Sequence, residues 1–134
     1  MKRQYLLDTN ICVFLFRKKY GINRMINDVG WDNCYISEIT VAELWFSVEC
    51  SSEIQRNALI LEQFLQEIRI VPVASAIRLY GQEKARLRST GIPIDDFDLL
   101  IGCSAVANDM VMVTDNEKHF LRIRGIKQEN WIQR

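Results

Sequence analysis

The chain reads as a three-layer α/β/α fold built on a mainly parallel central sheet. Three observations predict it. Short apolar runs suited to buried strands alternate with longer stretches of helical periodicity. The first run, Gln4 to Leu7, passes directly into a helix-like segment, the opening half of a crossover unit. Two apolar runs also stop at an acid, at Asp8 and at Thr114-Asp115, and strand ends of this kind are where such sheets bind ligands.

The elements follow in order. Ile11 to Lys19 has Ile11, Phe14 and Leu15 at helical spacing, and Asp8, Thr9 or Asn10 can each cap it. Gly21 to Val29 suggests a second helix, closed by Gly30. Cys34-Tyr35-Ile36 is a short strand, and Ser37 caps a helix over Glu38 to Glu49. Within that helix Thr40, Glu43 and Ser47 form one narrow polar stripe among Ile39, Val41, Leu44, Trp45 and Phe46. The stripe faces either water or an inward polar cleft. Apolar residues cover nearly every other direction, which favours the cleft.

Ser51-Ser52 is expected to cap an amphipathic surface helix from Glu53 to about Glu67. Arg69 to Val73 reads as a strand, with Pro72 marking its end or an edge. Ala74 to Ser89 is helical, with Ile77, Tyr80 and Leu87 on its apolar side. Lys84, Arg86 and Arg88 fill its last turns, where the helix dipole favours cations; they equally make a local basic rim for phosphates. Pro93 and a knot of acids open the next helix, which Asp95 or Asp96 can cap. From Leu99 to Ala107 no residue is charged, so this helix is buried on most sides and Asp98 stands at its mouth. Burying that carboxylate is costly unless something pairs with it. Met110 to Val113 is a buried strand, Glu117 to Arg122 a short helix, and Gly125 to Trp131 a strand-like tail.

Composition narrows the functional classes. The 134 residues suit one domain, 1–134, and 49% apolar with 25% charged residues is ordinary for a globular chain. Lys plus Arg and Asp plus Glu number 17 each, so no global field recruits nucleic acid and a polyanion would need a local patch. Cys12, Cys34, Cys50 and Cys103 are scattered beside a single histidine, His119, a poor zinc set, and Cys12 and Cys103, in apolar segments, read as reduced core residues. The start, Met1 to Asp8, lacks the apolar run of a signal peptide, and no stretch nears roughly 18 apolar residues. A reduced, cytoplasmic, soluble domain without membrane contact is expected.

Asp8, Glu43, Asp98 and Asp115 can converge where parallel strands end together. Gathered carboxylates repel one another, and a hard divalent cation relieves this. Oxygen-only ligation suits Mg²⁺ or Mn²⁺, and such a cation supports phosphodiester hydrolysis without a serine, cysteine or histidine nucleophile.

The context sharpens this reading. Leu6-Leu7-Asp8-Thr9-Asn10, Ile39-Thr40-Val41-Ala42-Glu43-Leu44, Asp98-Leu99-Leu100-Ile101 and Val113-Thr114-Asp115-Asn116 resemble the ordered motifs of PIN-domain ribonucleases. The closing Gly125-Ile126-Lys127-Gln128-Glu129-Asn130-Trp131 is similar to the tail of the VapC-type toxins of bacterial type II toxin–antitoxin systems. The resemblance spans essentially the whole chain and implies a PIN-like fold. It implies Asp8, Glu43 and Asp98 as catalytic metal ligands, with Thr9 supporting Asp8 by its hydroxyl and Thr114 also in support. It implies a Mg²⁺- or Mn²⁺-dependent endoribonuclease acting on RNA, in many relatives tRNA. A homodimer and a cognate VapB-type antitoxin are implied as partners; the Lys84-Arg86-Arg88 rim, read from its own position at a helix end, is expected to contact RNA. The fourth acid departs from the family, which often has aspartate where this chain has Asn116. Asp115 substitutes, Asn116 contributes through water, or a second metal binds weakly.

Other readings are weaker. A phosphoacceptor receiver domain needs paired acids after its first strand, and a haloacid-dehalogenase-like phosphatase needs Asp-x-Asp; Asp8-Thr9-Asn10 offers neither. A non-catalytic protein-binding module with vestigial acids is the alternative of a different class, and metal binding separates it from the nuclease.

Overall fold

The structure, a computed structural model, describes residues 3–134, so Met1 and Lys2 of the basic opening stretch lie outside the described residues. Among the described residues five strands form one sheet: β1 (Tyr5–Leu7), β2 (Cys34–Ser37), β3 (Arg69–Val71), β4 (Val111–Val113) and β5 (Gln128–Glu129). Their order is β3-β2-β1-β4-β5, and every neighbouring pair is parallel. The chain builds outward from β1 to β3, then crosses back to add β4 and β5 on the other side. The order therefore reverses between β1 and β4, and the crevice beyond the carboxyl ends of strands at such a switch point is where open α/β sheets bind ligands.

Helices cover both faces. On one lie α1 (Thr9–Phe16), α2 (Ile22–Val29), α3 (Glu38–Glu49) and α4 (Ile54–Glu67); on the other α5 (Ile77–Ser89), α6 (Asp96–Ala107) and the short α7 (Glu117–Phe120). The two-residue period of the strands divides the core. Leu7 and Val113 point into the cluster with Ile11, Ile26, Leu44 and Phe64, while Leu6 and Met112 point into the one with Leu99, Ile101 and Phe120. Each face thus buries its own apolar set, as a parallel sheet requires. α3 packs on α1, α4 and α6, so its polar residues lie near the seam between the layers.

Several expected boundaries move. The first helix starts at Thr9 and ends at Phe16, because Lys18 and Tyr20 adopt left-handed backbone at φ 55° and 58°. Ser51 and Ser52 do not cap α4: the Ser51 hydroxyl donates to the Val48 carbonyl and accepts from the Asn57 amide. The proline-led segment after β3 begins as a 3₁₀ turn, Val73–Ala76, before α5 starts at Ile77. Ile77 is 56% exposed rather than core, and the inward positions of α5 are Glu83 and Leu87. α7 stops at Phe120, and of the tail only Gln128–Glu129 pairs as strand. Trp131 is still buried, its ring 5.4 Å from that of Tyr5. β3 is one of the two edge strands, with Pro72 just past its end. Among the described residues no helix is long and apolar enough to cross a membrane.

Candidate active site

Asp8 follows β1 and caps α1, its Oδ1 accepting the Thr9 backbone N–H at 2.8 Å. The register that pairs Leu7 with Val113 brings Thr114 alongside, and its hydroxyl donates to Asp8 Oδ2 at 2.9 Å. Capping and site geometry are therefore one arrangement. Asp8 is 5% exposed. Burial pushes its pKa up to about 6, aided by the negative charges of Asp98 and Glu43 and opposed by the bonds from Thr114 and Thr9.

Glu43 enters from α3. Ser37 caps that helix through the Ile39 N–H, as expected, which sets the turn on which Thr40 and Glu43 face inward. The stripe divides, because Thr40 is fully buried while Ser47 is exposed. Thr9 supports the site differently from expectation: its backbone N–H serves Asp8, while its hydroxyl donates to Glu43 Oε1 at 2.8 Å. That hydroxyl has one proton, so the 3.0 Å contact with Thr40 Oγ1 has Thr40 as donor. Partial burial raises the Glu43 pKa, and the charges of Asp98 and Asp95 raise it further against the Thr9 hydrogen bond.

Asp98 lies in the first turn of α6. Asp95 caps the helix by accepting from the Phe97 and Asp98 N–H groups, and Asp96 takes the Lys84 ammonium at 2.9 Å and the Tyr80 hydroxyl at 2.8 Å. The Asp98 pKa is raised by burial first, with the His119 interactions pulling it down. His119 Nε2 lies 3.1 Å from Asp98 Oδ2. Sequence reasoning missed this residue and saw only a lone histidine unsuited to zinc. The available signal was its place in the helix that directly follows the last acid-bearing strand end.

The remaining candidates fall elsewhere. Asp115 turns away, paired with Arg134 at 2.6 Å and bonded by Asn130, and the Arg134 bond holds its carboxyl below the usual range. Asn116 gives its backbone N–H to Thr114 Oγ1, steadying the hydroxyl that holds Asp8. Arg86 is not on an exposed rim, because it lies against buried Glu83. Lys84 and Arg88 are exposed.

Asp8, Glu43 and Asp98 thus come from three elements; the charge of Asp98 raises the pKa of the other two and that of Glu43 raises the pKa of Asp8, while burial raises all three, and among the described residues no lysine or arginine is bonded to any of them. This all-oxygen, mutually repelling set has the chemistry of a site for a hard divalent cation. Among the described residues no three acidic, histidine or cysteine side chains are close enough to close on an ion directly. Oxygen donors of this kind suit Mg²⁺, which keeps several waters when bound.

The description "PIN domain" fits a family model that matches residues 5–126. The tRNA(fMet)-specific endonuclease VapC of Shigella flexneri is 31% identical over 129 residues, 96% of this chain and 98% of its own. Ribonuclease VapC2 of Rickettsia felis is 34% identical over 130 residues, 95% of this chain and 97% of its own. The crystal structure of DNA-bound VapBC from Salmonella typhimurium superposes with a TM-score of 0.90 at 32% identity, covering 96% of this chain and 98% of that one. The chain belongs to the PIN-domain family and, within it, to the VapC ribonucleases, the toxin components of type II toxin–antitoxin systems.

Proposed function

We propose that this VapC-family ribonuclease is a divalent-metal-dependent endoribonuclease whose site is Asp8, Glu43 and Asp98, working on Mg²⁺ or Mn²⁺. The observation that carries this is three carboxylates from three elements, each raised by burial, that among the described residues no lysine or arginine neutralises. Such an ion supplies charge neutralisation at the phosphate and acidifies a water for attack. The protein's own part is orientation. Thr114 and the Thr9 N–H fix both oxygens of Asp8, the Thr9 hydroxyl fixes Glu43, and His119 holds one oxygen of Asp98. Asn116 acts through Thr114, and Asp115 lies outside the ligand set.

The substrate is single-stranded RNA within a folded RNA, in keeping with the tRNA(fMet) specificity named for the Shigella relative. Lys84 and Arg88, on the last turns of α5, supply phosphate contacts; Lys84 reaches Asp96 two residues before Asp98. A VapB-type antitoxin and a second copy of the chain are its partners, in keeping with the VapBC complexes it resembles. Phe46, 71% exposed on α3, is a contact for one of them, whereas Phe14, Phe16 and Trp45 are half-buried against the core. The 134 residues act as one domain in the cytoplasm.

The test is incubation of purified, antitoxin-free protein with total RNA in Mg²⁺, in Mn²⁺ and in chelator. Discrete metal-dependent fragments are expected, and sequencing their ends identifies the target. Intact RNA in every lane returns the chain to a non-catalytic binding module.

A further inference from the structure

Besides Asp8, Glu83 is the one fully buried acid among the described residues, 4% exposed in α5. Its Oε2 accepts from Arg86 Nε at 2.9 Å, and its Oε1 accepts from Arg86 Nη2 at 2.8 Å and from the Arg124 backbone N–H at 2.7 Å. Arg86 Nη2 also donates to the Arg122 carbonyl at 2.7 Å. The pair therefore grips the main chain on both sides of Ile123. Desolvation makes a buried ion pair a poor source of stability. Its hydrogen bonds are directed at one segment, which points to placement as its role.

That segment leads into the carboxylate cluster. Ile123, 1% exposed, occupies the space beside Gly102, which follows Asp98 by one helical turn on the same face of α6. The Arg122 guanidinium donates to the Pro93 carbonyl and lies 3.2 Å from His119 Nδ1. Arginine only donates, so His119 Nδ1 accepts and its proton sits on Nε2, aimed at Asp98 Oδ2.

We propose that the Glu83–Arg86 pair, its acid buried and its arginine half-buried, is a remote positioning device for the site: it sets the Arg122–Arg124 main chain, Arg122 locks His119 in its Nε2–H tautomer, and His119 orients Asp98. Asp98 Oδ2 is thereby taken, leaving Oδ1 for a shared cation. Only this last link rests on reading Asp98 as a metal ligand.

His119 is the only histidine in the chain, so histidine-labelled protein gives one unambiguous set of ¹⁵N resonances. At about pH 8 the parent shows a single Nε2–H tautomer. Arg122→Met and Arg86→Met shift it toward the mixture of free imidazole. Mn²⁺ titration provides the second readout: Arg122→Met and His119→Leu each weaken binding by about tenfold, the scale of lost outer-shell support. Arg86→Met added to His119→Leu weakens it no further. An unchanged tautomer in Arg122→Met, two protonated nitrogens in the parent, or additive losses of affinity overturn the proposal. Arg122 is half-buried, so its variant decides the central link even if Arg86→Met fails to fold. A parent with the locked tautomer but no Mn²⁺ binding contradicts the nuclease reading and leaves the positioning of His119 standing.

Discussion

Asp8 is held for ionisation by two hydrogen bonds and pushed from it by burial and by two neighbouring acids, and burial wins. Its folded pKa, about 6, lies above the usual 3.8. A raised pKa means the contribution to stability is fully present below pH 3.8 and is lost as pH rises through about 6. A shift of about two units corresponds to about 3 kcal/mol of strain in the ion-free protein above that range. Asp8→Asn is therefore expected to stabilise the metal-free protein by about 2–3 kcal/mol at about pH 8, measured by urea unfolding, while abolishing RNA cleavage. A destabilised variant contradicts this balance. The acids themselves were legible in the sequence, because each sits against or inside an apolar run, where a charge is costly to bury. Their partners were not. The choice of the Thr9 hydroxyl for Glu43, and the approach of His119 to Asp98, depend on how distant helices dock, which no local spacing encodes.

At the scale of elements, α6 carries two adjacent requirements on one face. Asp98 meets His119, and one turn later Gly102 lets Ile123 and Phe120 approach, so that an added Cβ would collide with Ile123 Cδ1 and lie 3.3 Å from Phe120 Cδ1. Gly102→Ala is expected to cost about 1–3 kcal/mol in chemical unfolding, the range for overpacking a dense core. A neutral substitution would show that the α7 segment yields freely and does not hold its register on α6. Element positions were readable where capping and burial agree. Ser37 begins α3 and Asp95 begins α6 as their side chains dictate. Boundaries failed where a side chain had a better partner, as Ser51 did in Asn57 and the Val48 carbonyl, or where backbone left the helical region, as at Lys18.

For the whole molecule, a parallel sheet was legible from the alternation of runs, but the strand order was not. That order puts β1 between β2 and β4, and so sets Asp8 beside Thr114 and near the start of α3. A cation shared by the three acids would bind the folded state alone and compete with protons for them. Mn²⁺ is accordingly expected to raise the melting temperature at about pH 8, with the rise fading as pH falls below the Asp8 pKa of about 6. A rise that persists in acid, or that Asp8→Asn leaves intact, places the ion elsewhere. Cleavage of one purified tRNA against Mg²⁺ concentration, in the parent and in Asp98→Asn, tests the central claim most directly. Saturable, metal-dependent cutting by the parent and none by a folded Asp98→Asn is the expected result. Equal cutting by both proteins, or cutting that survives chelation, would contradict it.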